Sequence, residues 1–390
     1  MTPAARVAAA IEILDDVLAG AAAEKQLTTW GRQNRFAGSK DRAAIRDLVF
    51  DALRCMRSYA ALGGAETGRG LMIGALRAAG DDPAALFTGE GYSAAPLTEA
   101  EQALNVEMGG LPEAVALDCP DWLVKPLQNS LGADFADVMQ LLRQRAPVFL
   151  RVNLRKCTVS EAQERLREEG IETTPSDISP TALRVETNPR RVQNSQPFLE
   201  GLVELQDAAS QAITDHLEIN EGARVLDYCA GGGGKTLAMA GRVTAEFYAH
   251  DANPQRMRDL PARAGRAGVH VVVLDTDEVA DAAPFDVVLC DVPCSGSGAW
   301  RRSPEGKWRL DDAALQELVD LQSQIIDLAA NFVAPGGLLA YATCSLLNAE
   351  NDDQTDAFLA RNAGWEAVSS LRFTPLDGGD GFFTKLFRRS

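Results

Sequence analysis

Two cysteines stand where this chain could carry out covalent chemistry. Cys294 lies in Asp291-Val-Pro-Cys-Ser-Gly-Ser-Gly, and Cys344 lies in Tyr341-Ala-Thr-Cys-Ser. Each follows a short apolar run that predicts a buried strand, Phe285–Cys290 before the first and Gly337–Ala342 before the second. Because open α/β folds bind ligands at the carboxyl ends of their parallel strands, we expect both thiols to lie in one site.

A glycine-rich turn further upstream predicts a cofactor loop. The apolar stretch Val225–Tyr228 runs into Cys229-Ala-Gly-Gly-Gly-Gly-Lys-Thr. Glycines without Cβ atoms let backbone N–H groups approach a ligand closely. The spacing fits neither the GxxxxGK[ST] loop of ATP-binding proteins, where Cys229 replaces the first glycine, nor the GxGxxG dinucleotide loop, where Thr236 replaces the last. ATP and NAD are therefore disfavoured as ligands.

Three carboxylates follow successive predicted strands beyond this loop, at Asp251, Asp275 and Asp291. A carboxylate after the second strand commonly binds ribose hydroxyls, and one after the third can accept a hydrogen bond from an adenine amine. Aspartate is also common where any strand becomes a loop. Taken with the glycine loop, the three indicate a ligand that has a ribose and an adenine but no buried pyrophosphate, which is S-adenosylmethionine.

The two thiols suit methylation of carbon 5 of a cytosine. That carbon becomes nucleophilic only after a thiolate adds to carbon 6, and a base must later remove the 5-hydrogen. Cys344, Cys294 and Asp291 could supply these groups. For the other cysteines we expect packing roles, including Cys229 in the glycine turn; these are Cys55, Cys119, Cys157, Cys229 and Cys290.

Composition excludes several other classes. The 390 residues are 46% hydrophobic and predict two or three domains. We expect no membrane span and no signal peptide, and hence a cytoplasmic protein. The seven cysteines lack any CxxC pair and the three histidines lack ligand spacing, which disfavours a disulfide framework and a metal site. We expect the chain to act as a monomer.

The net charge of −17 is unusual for a protein that binds nucleic acid. Residues 1–140 carry a net −7, residues 141–205 a net +1 and residues 206–390 a net −11. An acidic surplus can simply keep a protein soluble. Any basic track for RNA is therefore expected within residues 141–205 and Arg301–Lys307.

The pattern predicts three domains. Residues 1–140 are helical, with Thr2-Pro3 starting one helix and Asp41–Arg54 forming another. Residues 141–205 form a small α+β module. Residues 206–390 alternate strands and helices and predict an α/β fold with a doubly wound, mostly parallel, Rossmann-like sheet. The expected strands there are Arg224–Asp227, Glu246–His250, Val269–Leu274, Asp286–Cys290 and Leu338–Ala342, with helices near Gly234–Gly241, Pro254–Ala267 and Asp311–Phe332.

The motifs together resemble the Sun/RsmB (Fmu) branch of the NOP/Sun RNA cytosine-5 methyltransferases. The resemblance covers the loop Leu226–Thr236, the fourth motif Asp291–Trp308 and the sixth motif Tyr341–Ser345, followed by Asn348-Ala-Glu-Asn-Asp. Val203–Gln211 and Gly379-Asp-Gly-Phe-Phe resemble flanking segments, Arg151-Val-Asn resembles the family's RNA-binding module, and Asp41–Arg54 its NusB-like domain. Gly231 and Gly232 replace the commoner Ala-Pro, so we expect a looser loop with intact binding of S-adenosylhomocysteine.

This resemblance implies a role for each site residue. Cys344 would be the nucleophile, Cys294 would assist elimination and RNA release, and Asp291 would hold the ring edge or the cofactor. S-adenosylmethionine would be bound by Asp251 and Asp275 at its ribose and adenine, and at its methionine end by the loop Cys229, Ala230, Gly231, Gly232, Gly233, Gly234 and Lys235.

The resemblance also implies an RNA partner. Phosphate contacts are expected from Arg151, Asn153, Arg301, Arg302 and Lys307, with Trp300 or Trp308 stacking on a base. The alternative for the basic residues near position 301 is a solvated loop. The family branch implies 16S ribosomal RNA as substrate, whereas tRNA or 23S rRNA, a non-catalytic RNA-binding or assembly factor, and a small-molecule methyltransferase remain alternatives.

Overall fold

The computed structural model describes residues 1–390, which fold into two compact units. The first unit comprises Met1–Arg145 together with Trp300–Arg309, and the second comprises Ala146–Ala299 together with Leu310–Ser390. The sequence gives no sign that residues 300–309 leave the second unit for the first. The division at residues 140 and 205 stays a prediction. None of the helices has the length and apolarity that a bilayer crossing requires.

The first unit is entirely helical. Thr2 caps its first helix by accepting a hydrogen bond from the Ala5 N–H at 3.2 Å, and Pro3 occupies the first turn, as predicted. Ile45, Val49 and Leu53 of the third helix are buried in the core. The α-helices span Pro3–Leu18, Ala23–Gln33, Ser39–Arg54, Met56–Gly63, Gly68–Ala79, Glu99–Ala103, Glu113–Ala116, Asp121–Leu131, Phe135–Leu142 and Glu305–Arg309.

The second unit contains a small antiparallel sheet. Its strands are β1 (Val148–Val152), β2 (Thr173–Pro175), β3 (Ala182–Val185) and β4 (Val203–Leu205), in the order β2-β3-β1-β4. The helix Val159–Glu168 packs beside it, and Thr158 and Glu161 form a capping box at its start. Leu150, Leu166 and Leu183 are fully buried between helix and sheet.

A seven-stranded sheet forms the rest of this unit. Its strands are β5 (Arg224–Asp227), β6 (Glu246–Ala249), β7 (Val272–Val273), β8 (Phe285–Asp291), β9 (Val333–Thr343), β10 (Trp365–Phe373) and β11 (Phe382–Arg389), in the order β10-β11-β9-β8-β5-β6-β7. All neighbours are parallel except β11, which is antiparallel to β9 and β10. The α/β prediction is confirmed, although β7 is shorter than expected and the sequence analysis did not identify β10 or β11.

Helices cover both faces of this sheet. The predicted helix near Pro254–Ala267 is divided into a 3-10 turn and a helix, because the chain bends after Met257. The α-helices of the second unit are Val159–Glu168, Gln196–Leu199, Ala208–Asp215, Gly234–Ala240, Leu260–Ala267, Thr276–Ala282, Asp312–Ala330 and Asp352–Arg361. The 3-10 helices of the chain are Pro83–Ala85, Met108–Gly110, Gly132–Asp134, Pro189–Asn194, Pro254–Met257, Ser297–Ala299, Asn348–Glu350 and Pro375–Asp377.

The strand order creates a switch point between β5 and β8. From β5 the chain proceeds outward through β6 and β7, and it then returns to place β8 and β9 on the other side. The carboxyl ends of these parallel strands therefore meet at one edge of the sheet, where open α/β folds bind ligands. Asp291 is the last residue of β8, and the glycine loop, the other two carboxylates and the two thiols follow the ends of these strands.

Candidate active site

The two thiols lie side by side at the ends of adjacent strands. β8 and β9 are paired so that Asp291 lies opposite Ala342, and the two cysteines follow within a few residues. The Cys294 and Cys344 sulfur atoms are 3.4 Å apart, and both side chains are partly exposed. The hydrogen bond with Cys344, together with burial, raises the pKa of Cys294 well above its usual range. Cys294 therefore keeps its proton and can donate it toward Cys344.

The glycine loop has a backbone that side chains would disrupt. Gly231 and Gly233 have φ angles of +53° and +76°, a region that L-residues rarely adopt. A Cβ on Gly233 would lie 2.3 Å from the Leu260 Cδ1 atom. Gly233 is the N-cap of the helix Gly234–Ala240, so the N-terminus of that helix lies next to the loop at the edge of the sheet. This geometry fits a bound nucleoside with a charged amino-acid end.

Lys235 and Asp291 form an ion pair between the glycine loop and the end of β8. The Lys235 Nζ atom is 2.6 Å from the Asp291 Oδ2 atom, and the ammonium also lies 4.9 Å from the centre of the Phe382 ring. Burial opposes the charge of Lys235, but the carboxylate of Asp291 outweighs it and raises the Lys235 pKa. The Lys235 ammonium is thus held charged at the end of β8.

Asp251 and Asp275 differ in their surroundings. Asp251 is 4% exposed, and its Oδ2 atom accepts hydrogen bonds from the Gly231 N–H at 2.9 Å and from Arg256 at 3.0 Å. It thereby fixes the glycine loop to the end of β6. Asp275 is exposed and caps the helix Thr276–Ala282, with its N–H donating to Glu278. Both lie at the expected strand ends, and their ribose and adenine roles stay predictions.

Asp227 is a buried carboxyl at the end of β5 that the sequence analysis did not single out. Its Oδ2 atom accepts a hydrogen bond from the Thr236 hydroxyl at 2.6 Å, and this bond joins β5 to the helix after the glycine loop. Its Oδ1 atom is buried without a hydrogen-bond partner. Burial raises the pKa of Asp227 to about 7. Burial also raises the pKa of Cys229 and Cys290, which fits the packing roles expected of these two thiols.

The RNA contacts expected from the small sheet require correction. Arg151 and Asn153 are 6% and 7% exposed. Arg151 donates to Gln206 and, at 2.8 Å, to the Gly234 carbonyl, and burial lowers its pKa to about 10. Asn153 donates to the carbonyls of Gly201 and Ala267. These buried side chains stabilise the backbone near the glycine loop through hydrogen bonds, and they are not exposed for contact with a phosphate.

The contacts expected near position 300 change in the same way. Lys307 is 1% exposed, donates to the Arg54 carbonyl at 3.2 Å, and has its pKa lowered to about 8 by burial. Trp308 donates to the Leu53 carbonyl at 2.6 Å, and Trp300 and Arg301 are buried. Trp300 is buried in the helical unit and offers no ring face to a base. Trp308 packs against the same core but is partly exposed, so stacking on its ring stays a prediction. Arg302 is partly exposed and stays a candidate contact.

Exposed basic side chains without partners occur instead in the first unit. Lys25, Arg32, Arg35 and Lys40 are exposed and make no hydrogen bond or ion pair. Phe36 lies among them in the sequence with 73% of its surface exposed. We call these five residues the 25–40 patch. The net charge of residues 1–140 did not indicate this patch, because the acidic residues in the same segment outnumber the basic ones.

A buried glutamate links the two cysteine loops. Glu350 follows the sixth motif, and its carboxylate binds residues next to both Cys294 and Cys344. The Asn348-Ala-Glu-Asn-Asp segment resembles a family motif, but the motif alone gives Glu350 no role. The available signal was a charged residue six positions after a candidate nucleophile, at a point where the chain re-enters the core.

The closing glycine segment also packs against this site. The Gly381 N–H donates to the Gly298 carbonyl at 2.9 Å, and the Gly298 N–H donates to the Cys344 carbonyl at 2.9 Å. A Cβ on Gly298 would lie 2.1 Å from the Gly381 oxygen. Asp207 accepts a hydrogen bond from the Asp380 N–H at 3.0 Å. The flanking motifs therefore hold the cysteine loops in place.

Comparison with known proteins identifies the fold. Residues 214–384 match the model of the family described as 16S rRNA methyltransferase RsmB/F, and residues 119–193 match the ferredoxin-like domain of RsmF/B-like methyltransferases. The crystal structure of PH0851 has a TM-score of 0.79 and 23% sequence identity, covering 100% of this chain and 99% of that one. A methyltransferase homologue from Pyrococcus horikoshii has a TM-score of 0.64 and 23% identity, covering 74% of this chain and 100% of that one. The fold is that of a methyltransferase.

Curated relatives indicate the branch of the family to which the chain belongs. The ribosomal RNA small subunit methyltransferases B of Salmonella arizonae and Klebsiella pneumoniae are each 36% identical over 287 residues. The alignment covers 69% of this chain and 66% of those proteins, just under two thirds of their length. The chain belongs to the Sun/RsmB branch of the NOP/Sun methyltransferase family, and the resemblance seen in its motifs is confirmed.

Proposed function

We propose that this protein methylates carbon 5 of a cytosine in 16S ribosomal RNA, with S-adenosylmethionine as methyl donor. The observation that carries the proposal is the pair of thiols 3.4 Å apart at the ends of β8 and β9. A methyltransferase acting on an oxygen or an amine has no need of two adjacent thiols, whereas cytosine-5 chemistry uses a nucleophile and an eliminating group. The names of the curated relatives support the choice of small-subunit RNA.

In this proposal the Cys344 sulfur attacks carbon 6 of the ring, and a carbon–sulfur bond forms as the ring becomes an enamine. Asp291 would hold the ring edge, and the Lys235 ammonium paired with it would stabilise the negative charge that the ring gains. Cys344 reacts as a thiolate whose proton has passed to solvent. After methylation Cys294, once it has released its own proton to solvent, takes the 5-hydrogen as a proton, and the electron pair left behind expels the Cys344 sulfur as a thiolate. The hydrogen bond between the thiols lets Cys294 hold a proton while Cys344 acts as nucleophile.

The residues of the sheet edge fit the donor. The glycine loop from Cys229 to Lys235 would surround the methionine end, Asp251 the ribose and Asp275 the adenine. The donor supplies an electrophilic methyl group when bound. Lys235 pairs with Asp291 on the polar side of the site, while the loop backbone offers N–H groups at a helix N-terminus. A reducing compartment such as the cytoplasm would keep both thiols free.

RNA would contact the protein through exposed cations. The 25–40 patch replaces the buried residues that the motifs first indicated, because its four basic side chains are exposed and its aromatic ring is open for stacking. Arg302 is the remaining candidate from the fourth motif. A short basic segment in an acidic protein gives RNA a defined place to bind, since the rest of the surface repels phosphate.

Methyl transfer to defined RNAs tests this proposal. The full chain is incubated with a labelled methyl donor and with unmodified 16S rRNA, 23S rRNA or tRNA, and the nucleosides are identified by mass spectrometry after digestion. We expect 5-methylcytidine in 16S rRNA only, and none with Cys344→Ala. Label on another atom, or equal transfer by Cys344→Ala, would contradict the chemistry. Transfer to tRNA or 23S rRNA alone would contradict the substrate.

A further inference from the structure

Glu350 is a fully buried carboxylate without a basic partner. It ends the short helix Asn348–Glu350, is 0% exposed and forms no ion pair. A buried charge is costly unless hydrogen-bond donors replace its hydration. The donors that surround Glu350 therefore show what its position requires, and they come from three separate elements of the site.

The carboxylate binds the residue that follows each cysteine. Its Oε1 atom accepts a hydrogen bond from the Ser295 N–H at 2.8 Å, and its Oε2 atom accepts one from the Ser295 hydroxyl at 2.5 Å. The Oε2 atom also accepts a hydrogen bond from the Ser345 hydroxyl. Since Ser295 follows Cys294 and Ser345 follows Cys344, the carboxylate binds the residue next to each thiol.

A helix and a strand fix the carboxylate itself. Gln322, in the helix Asp312–Ala330, donates from its Nε2 atom to Glu350 Oε1 and to the Pro293 carbonyl, each at 2.9 Å. The Tyr341 hydroxyl of β9 donates to the Glu350 carbonyl at 2.7 Å. Pro293 directly precedes Cys294, so Gln322 secures the same loop from its other side. The cluster of Glu350, Ser295, Ser345 and Gln322 is thus anchored to elements that pack in the core.

We propose that Glu350 is a positioning residue that holds the Cys294 and Cys344 loops in register, so that both thiols reach the same ring. The catalytic importance of this role rests on the proposed function, but Glu350 would set the spacing of the two sulfur atoms whether or not RNA is bound. The negative charge of Glu350 also contributes, after the Cys344 bond and burial, to the raised pKa of Cys294. The same carboxylate thus sets the spacing of the thiols and favours the proton on Cys294.

The variant Glu350→Gln isolates this role. Glutamine keeps the shape but replaces one accepting oxygen with an amide NH2, which must face a serine hydroxyl, the Ser295 N–H or Gln322. At least one charge-assisted hydrogen bond is lost, and we expect the two loops to separate for most of the time. The loss of one such bond corresponds to about a 10- to 100-fold effect on any step that needs both thiols together.

Disulfide formation between the thiols reports their spacing directly. Diamide takes two electrons and two protons from Cys294 and Cys344, is reduced to its hydrazine and leaves one sulfur–sulfur bond, which peptide mass spectrometry quantifies against time. We define the diamide rate as this rate divided by the rate at which iodoacetamide alkylates the same two thiols, because loss of the Glu350 charge also changes the pKa of Cys294. We expect the diamide rate to be at least about tenfold lower in Glu350→Gln than in the unmodified protein. Thr355→Val is the matched control, because Thr355 is also fully buried nearby and binds only the Asn351 and Asp352 carbonyls.

A methylation assay, compared with the diamide rates, distinguishes failure of the positioning role from failure of the proposed function. With RNA and methyl donor, Glu350→Gln should lower kcat about 10- to 100-fold and leave KM for RNA within about twofold. If the unmodified protein methylates no RNA but the diamide difference persists, the positioning role stands and the proposed function fails. Equal diamide rates in Glu350→Gln and the unmodified protein would overturn the positioning role. Should Glu350→Gln not fold, Ser345→Ala, which removes one donor and leaves the carboxylate, decides by the same rate comparison.

Discussion

The buried carboxyl of Asp227 gives the stability of this protein a specific dependence on pH. Its pKa is raised from 3.8 to about 7, first by burial and then by the charge of Asp291, while its bonds with Thr236 act in the other direction. An unfolded chain releases this proton near pH 4. Between pH 4 and pH 7 the folded state therefore binds more protons than the unfolded state, and the free energy of unfolding falls as the pH rises.

The size of the effect follows from the shift. About three pKa units at about 1.4 kcal/mol each give a loss of roughly 4 kcal/mol across this window. Asp227→Asn cannot ionise and escapes that loss. Its new amide group replaces the Oδ1 atom, which has no partner, so the substitution itself costs about 1–3 kcal/mol. Because more than 1 kcal/mol of this loss (roughly 1.7) has already occurred by pH 5, we expect the stability of Asp227→Asn relative to the unmodified protein to rise by about 2–3 kcal/mol between pH 5 and pH 8. At pH 8 the variant should be the more stable of the two.

Denaturant unfolding at pH 5, 6, 7 and 8 measures this difference. Pulse proteolysis with mass spectrometry of peptides from residues 206–299 and 310–390 restricts the signal to the unit that contains Asp227. Asp281→Asn is the control, because Asp281 is exposed and makes no hydrogen bond, and its difference should not vary with pH. A constant difference between Asp227→Asn and the unmodified protein at all four pH values would refute the reasoning.

Two more predictions follow from the glycine loop and from the 25–40 patch. Gly233→Ala places a side chain at a φ of +76° and against Leu260, so we expect at least about tenfold weaker binding of S-adenosylhomocysteine, measured by calorimetry. Gly265→Ala is the control and should bind normally, because a Cβ at this position meets nothing within 4 Å. Equal affinities would contradict the role of the loop. Removing three cations of the patch should lower the slope of log affinity for RNA against log salt by about 2. The three changes are Arg32→Ala, Arg35→Ala and Lys40→Ala, and the control with the same charge change is Lys125→Ala, Arg167→Ala and Arg258→Ala. An unchanged slope would place the RNA elsewhere.

Local patterns were sufficient to predict the part of the fold that positions the site. The parallel strands have continuous apolar runs, and the turns that follow them carry glycine, cysteine or aspartate, so β5, β8 and β9 and the side chains at their ends could be read from the sequence. The exposed strand β10 has no such run, because alternate residues face solvent. Strand β7 is short because only two of the predicted residues pair with β6.

Burial of charged side chains could not be read in the same way. Arg151 and Lys307 look like phosphate ligands in a motif, but tertiary packing turns both inward to backbone carbonyls. The proposed role of Glu350 could not be predicted either, because its hydrogen-bond donors lie 28 and 55 residues away in the chain. The 25–40 patch is visible only when paired cations are distinguished from unpaired ones, which needs coordinates.

Trapping the covalent complex tests whether Cys344 is the nucleophile and Cys294 the eliminating group. The Cys294→Ala protein is incubated with S-adenosylmethionine and unmodified 16S rRNA and is then run on a denaturing gel. The account predicts a slowly migrating, nuclease-sensitive adduct, because loss of Cys294 blocks elimination, and it predicts no adduct when Cys344 is also replaced by alanine. An adduct that survives the loss of Cys344, or methyl transfer by the unmodified protein without any adduct in Cys294→Ala, would contradict the assignment of the two thiols.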